Sequence, residues 1–188
     1  MIETLYWHPK LRKDIRWLKE KQCYKRWSEK QMVLYERKIM LVAFQIRSLL
    51  ERPKVTKEYA LKRLEVTKYD KVGSASLTRR DYEYSEIFDI ENPKVESLSA
   101  PQLCNQIIHY YLMFAQSNES KKFTNLLVVS DYKRNQCLFD VNISQLLEFF
   151  SHFAKDESRF GYLGKDKNAV QYVWNEKKSD YDLVEINN

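Results

Sequence analysis

The chain has 188 residues, a net charge of +6, 14% aromatic residues, and only three glycines and four prolines. A chain this long buries roughly 70% of its unfolded surface and needs no disulfide or metal staple. So little glycine argues against phosphate-cradling loops, collagen-like repeats and disorder. Cys23, Cys104 and Cys137 are odd in number and far apart. They fit neither a disulfide framework nor a cysteine zinc site, and point to a reducing compartment. Met1–Lys10 lacks an apolar signal core, and the densest apolar run, Ile39–Phe44, has six residues. A cytoplasmic protein without membrane association is expected.

The charge is unevenly spread. Residues 1–80 carry 21 Lys/Arg against 9 Asp/Glu, whereas residues 81–188 carry 11 against 17. A basic half beside an acidic half suits an anionic partner, a solvated helix face, or another copy of the chain.

Between Pro9 and Pro53 there is no proline or glycine, which predicts helix. Ser28-Glu29-Lys30-Gln31 has the form of a capping box and divides the segment. The first helix is expected over about Leu11–Arg26, with Leu11, Ile15 and Leu18 on its apolar side. The second runs from Glu29 to Glu51, strongly apolar from Ile39 onward. Residues 1–52 thus read as a basic helical arm and first core helix, and 53–188 as an α+β core, together one domain.

Thr56–Leu64 is expected to hold a short helix, and Leu64–Tyr69 alternates as a strand. Asp81–Glu91 fits a strand, or a helix ending in one. Ser99-Ala100-Pro101 opens a helix expected to reach about Gln116. Leu126–Ser130 and Cys137–Val141 read as strands joined by the polar turn Asp131–Asn135. Ile143–Ala154 is helical, and Val170–Trp174 and Tyr181–Ile186 are short strands. The class is α+β, with long N-terminal helices and two further helices on a small, mostly antiparallel sheet.

Within the third long helix, Asn105 and His109 stand four residues apart and share a face, while Tyr111 points away. Their sequence, Cys104-Asn105-Gln106-Ile107-Ile108-His109-Tyr110-Tyr111, resembles the Arg-x4-His-x-Tyr motif of HEPN-domain proteins, a family of helical ribonucleases and their partners in toxin–antitoxin and antiviral systems. The resemblance covers eight residues. It implies catalytic roles for His109, Asn105 and Tyr111 in metal-independent RNA cleavage. Cys104 replaces the arginine, so a cation for the phosphate has to come from elsewhere, for instance Arg134. The alternative is that His109 and Asn105 hydrogen-bond in the core and pin the helix. Asp131, just past an apolar strand, suits a turn better than a metal.

Nucleotide-binding and hydrolase signatures are absent from the sequence, and His8, His109 and His152 lack zinc spacing. No cofactor or metal is expected. The second candidate surface interleaves Arg16, Trp17, Lys19, Lys25, Arg26 and Trp27. That composition suits stacked bases and phosphates, protein docking, or tryptophans packed inward with cations in water. Two function classes follow. One is a non-catalytic subunit or adaptor of a nucleic-acid-handling assembly, docking a larger protein through the basic aromatic helix. The other is a HEPN-like ribonuclease acting through His109. Nucleic acid, direct or through the partner, and self-association are both compatible with the charge.

Overall fold

Ser28 caps the longest helix. Its hydroxyl accepts the Gln31 N–H, while the Gln31 side chain accepts the Ser28 N–H. The predicted box therefore starts α2 (Glu29–Glu51) as expected, with Tyr35, Ile39, Val42, Ala43, Ile46 and Leu49 buried. The computed structural model describes residues 4–24, 26–52, 54–74, 77–78, 84–156, 158–163, 170–175 and 181–184.

The first helix, α1 (Thr4–Gln22), begins earlier than expected and passes through Pro9. Proline there removes one backbone bond, but the added turn brings the half-buried Trp7 and the buried His8 onto the core. Leu11, Ile15 and Leu18 are buried as the apolar spacing requires. The helix is therefore no free arm. Asp14 accepts bonds from Lys10, Lys38 and Gln45, tying α1 to α2. Gln22 donates to the Phe123 carbonyl and to Ser144, which ties its other end to the sheet side. One core cluster runs from Leu11 to Ala154, across the boundary between arm and core.

After α2 come a single turn, α3 (Lys57–Ala60), then β1 (Arg63–Asp70), β2 (Lys94–Ser99), α4 (Ala100–Ile108), β3 (Tyr110–Ser117), β4 (Phe123–Ser130), β5 (Cys137–Asn142) and α5 (Ile143–Lys155). β1 to β5 form one antiparallel sheet in the order β2-β1-β5-β4-β3. The fold is α+β. A separate antiparallel sheet holds β6 (Ser158–Leu163), β7 (Val170–Asn175) and β8 (Tyr181–Val184). Among the described residues no helix is long and apolar enough to cross a membrane.

The five-stranded sheet is covered on both faces. Leu126, Val128, Phe139 and Val141 join the main core beneath the helices. Leu127, Val129 and Leu138 face a smaller core closed by Leu77, Ile87 and Phe88. A central strand buried on both sides reads as an unbroken apolar run, which is why Leu126–Ser130 was legible without alternation. In the segment 81–91, Tyr84–Glu86 is a 3-10 turn and Phe88 bridges Lys71, so among the described residues there neither a regular strand nor an α-helix forms; residues 81–83 lie outside the described set.

Candidate functional site

α4 opens with a second capping box. Ser99 accepts the Gln102 N–H and Gln102 accepts the Ser99 N–H, with Pro101 in the first turn. The helix stops at Ile108, eight residues short of the expected end. Tyr110 to Phe114 are aromatic and aliphatic residues that pair well across strands, and they run antiparallel to β4 as an edge strand. Sheet pairing outweighs continued helix, so the eight-residue motif is split between two elements.

Asn105 remains on α4, half-buried. His109 is the C-cap residue: its N–H donates to the Asn105 carbonyl at 3.1 Å. Its own carbonyl accepts the Asp131 N–H at 2.9 Å. The backbone is held from both sides while the residue is exposed. The expectation of a histidine pinned inside the core is therefore corrected: helix termination carries it to the surface. Cys104 is fully buried, and burial pushes its thiol up to about 12 despite nearby Arg47. It stays a neutral thiol and supplies no charge where the family has arginine.

Between Tyr110 and Leu112 the register with β4 slips. The extra residue is Tyr111, and Tyr111 and Leu112 both pack on the smaller core instead of alternating. A bulge of this kind re-aims a side chain. The Arg134 guanidinium lies 5.4 Å from the Tyr111 ring centre and reaches Asp131 at 3.5 Å. Asp131 begins the 3-10 turn between β4 and β5, capped by Ser130 Oγ accepting the Lys133 N–H. The structure thus gathers exposed His109, Tyr111, Asp131 and Arg134 at one end of the sheet. The sequence offers Arg134, in the polar turn, as one source of charge, but not its seat on Tyr111.

The second candidate surface is divided. Trp17 and Trp27 are half-buried and pack against the core. Their ring centres lie 6.3 Å and 5.4 Å from that of buried Tyr35, and Trp27 lies 4.2 Å from Phe123. The Lys21 and Lys38 ammonium groups each stand 5.8 Å from the Trp17 ring centre. Lys19 pairs with Glu148 of α5 at 3.0 Å, which holds that carboxyl below its usual range. Arg16 and Arg26 are exposed, and Lys25 lies outside the described residues.

No protein-family model, curated protein or solved structure matches this chain. Among the described residues, no three metal-ligating side chains gather into a group that could hold an ion.

One surface escaped the sequence reading. On α2, Val33, Leu34, Leu41 and Phe44 are exposed by 56, 38, 37 and 51%. Helical spacing puts them on one broad face around Arg37. The signal was present in the sequence, because α2 is apolar on more positions than one buried stripe requires.

Proposed function

We propose that the chain is a non-catalytic subunit or adaptor that docks a larger protein of a nucleic-acid-handling assembly through the outward faces of α1 and α2. The observation that carries this reading is the exposed apolar stripe Val33, Leu34, Leu41 and Phe44. Scattered exposed apolar residues are ordinary, but four on one helix face mark a contact surface. Arg37 lies within that face and has no ion pair among the described residues, and exposed Lys13 and Arg16 extend the positive charge along α1. The matching occupant is a partner helix with an apolar stripe flanked by aspartate or glutamate. A second copy would bring Arg37 and the basic half against like charge.

Leu41→Glu with Phe44→Glu should abolish co-purification of a stoichiometric partner while leaving thermal unfolding within a few degrees of wild type. Both positions are exposed, so the core is untouched. Retained partner binding by this double variant would refute docking through α2.

A second reading has its own support. His109 is exposed and Arg134 is held on the neighbouring Tyr111. A base and a cation are the two groups that metal-independent RNA cleavage needs: the imidazole takes the 2′-hydroxyl proton and the guanidinium meets the developing phosphate charge. Under this reading His109→Ala lowers cleavage of a single-stranded RNA by at least about 100-fold with no change in Tm, because the side chain supports no packing. Cleavage that persists undiminished in His109→Ala would end the reading that His109 is the base.

A further inference from the structure

Where the start of α2 meets the turn between β3 and β4, a cavity of about 420 Å³ opens to solvent. Trp27 and Phe123 line it with Met32, and Arg26, Lys121 and Ser117 complete the wall. The size falls within the range of small-molecule sites. Its lining contains two cations and no carboxylate. Among the described residues neither Arg26 nor Lys121 is in an ion pair or a hydrogen bond from its side chain.

Lys121 carries an independent signal. Its φ is 60°, the one left-handed non-glycine residue described. The turn holds it there: its N–H donates to the Asn118 carbonyl, and the Asn118 N–H donates to the Lys122 carbonyl. A side chain in this conformation is disfavoured, and glycine is the residue that fits it without steric cost. Such positions persist only where the surrounding structure holds them, and they cluster at binding and catalytic sites. Here the lysine that occupies the glycine position is one of the two cations facing the cavity.

A half-buried indole beside two cations that make no ion pair among the described residues matches the two halves of one chemical unit. The Trp27 indole donates its N–H to the Tyr24 carbonyl at 3.0 Å, so the ring system is fixed in place as part of the wall. A planar base packs against such a wall without sequence preference, while a phosphate meets guanidinium and ammonium.

We propose that this cavity binds a nucleotide unit, its phosphate between Arg26 and Lys121 and its base against Trp27 and Met32. The unit comes either as a free nucleotide or as one residue of a single-stranded nucleic acid. This site stands apart from docking through α1 and α2, and either can fail without the other.

The test titrates the full chain with AMP, a ten-nucleotide single-stranded RNA and inorganic phosphate, read by calorimetry, for wild type, Lys121→Gly and Arg26→Ala. Binding of AMP or the RNA, with inorganic phosphate at least about tenfold weaker, is expected. Lys121→Gly should weaken binding about tenfold while Tm stays level or rises by about 2–4 °C, because glycine relieves the strained backbone. Arg26→Ala should weaken binding similarly. RNA binding much tighter than AMP assigns the site to single-stranded nucleic acid, and equal affinity assigns it to a free nucleotide. Unchanged affinity in both variants, inorganic phosphate as tight as AMP, or no binding of either nucleotide probe would overturn the proposal.

Discussion

Tyr35→Ala should lower the unfolding free energy by about 3–5 kcal/mol, the cost of emptying a large aromatic site. The residue is fully buried at the point where α1, α2 and the sheet meet. Its ring centre lies 5.0 Å from Phe123, 5.4 Å from Trp27 and 6.3 Å from Trp17. Removing it loosens three aromatic contacts at once. The hydroxyl tells a different story. It is buried with no hydrogen-bond partner among the described residues, and burial pushes its pKa up, so it stays protonated. An unpaired buried hydroxyl costs stability, so Tyr35→Phe should leave the protein unchanged or about 1 kcal/mol more stable. Urea unfolding of the two variants checks both halves. A loss above about 1 kcal/mol in Tyr35→Phe would mean that the hydroxyl has a partner.

The second large effect is expected at Asp14. Its side chain is 5% exposed and lies 2.8 Å from Lys10 and 3.0 Å from Lys38. Burial works against its charge, but the hydrogen bonds from Lys10, Lys38 and Gln45 outweigh it and hold the carboxyl below its ordinary 3.8. A carboxylate with a lowered folded pKa contributes stability that is complete above its unfolded value. That contribution is lost as pH falls through the folded one. Asp14→Ala should therefore cost about 2–3 kcal/mol at pH 7, the range for charge-assisted bonds made by a buried group. The Tm gap between wild type and variant should narrow below about pH 4 and continue to close toward pH 2. A gap of constant size over this range would show that Asp14 acts by packing alone. Lys10 is more than half exposed, so its share is screened and most of the effect belongs to Lys38 and Gln45.

Where structure is decided locally, the sequence was sufficient. The Ser28 box and the apolar spacing after Ile39 define α2 at both ends. β4, the turn at Asp131 and β5 follow from an unbroken apolar run beside a polar break. α5 follows from the inward series Ile143, Leu146, Leu147, Phe150 and Phe153. The failures are non-local. Tyr110–Phe114 suits a helix or a strand equally, and only the presence of β4 alongside selects the strand. β2 was missed because only Leu98 is buried on an otherwise exposed edge. β6 was not anticipated either.

The candidate sites divide in the same way. Composition could mark Trp17, Trp27 and the lysines around them, but not which way they face. Two apolar rows on α1 and α2 bring the tryptophans onto Tyr35, leaving Arg16 and Arg26 outside. The bulge at Tyr111, the seat of Arg134 on its ring, and the meeting of Lys121 with Trp27 all need contacts between segments far apart in sequence. No spacing rule anticipates them.

The most direct test of the adaptor reading is affinity purification of the tagged chain from its native host, with wild type and the Leu41→Glu/Phe44→Glu variant side by side. Mass spectrometry and nucleic-acid analysis would identify what co-elutes. Docking through α2 predicts a stoichiometric partner with the wild type, carrying nucleic acid, and its loss from the variant. A wild-type chain that elutes alone, or a partner retained by the variant, would contradict it.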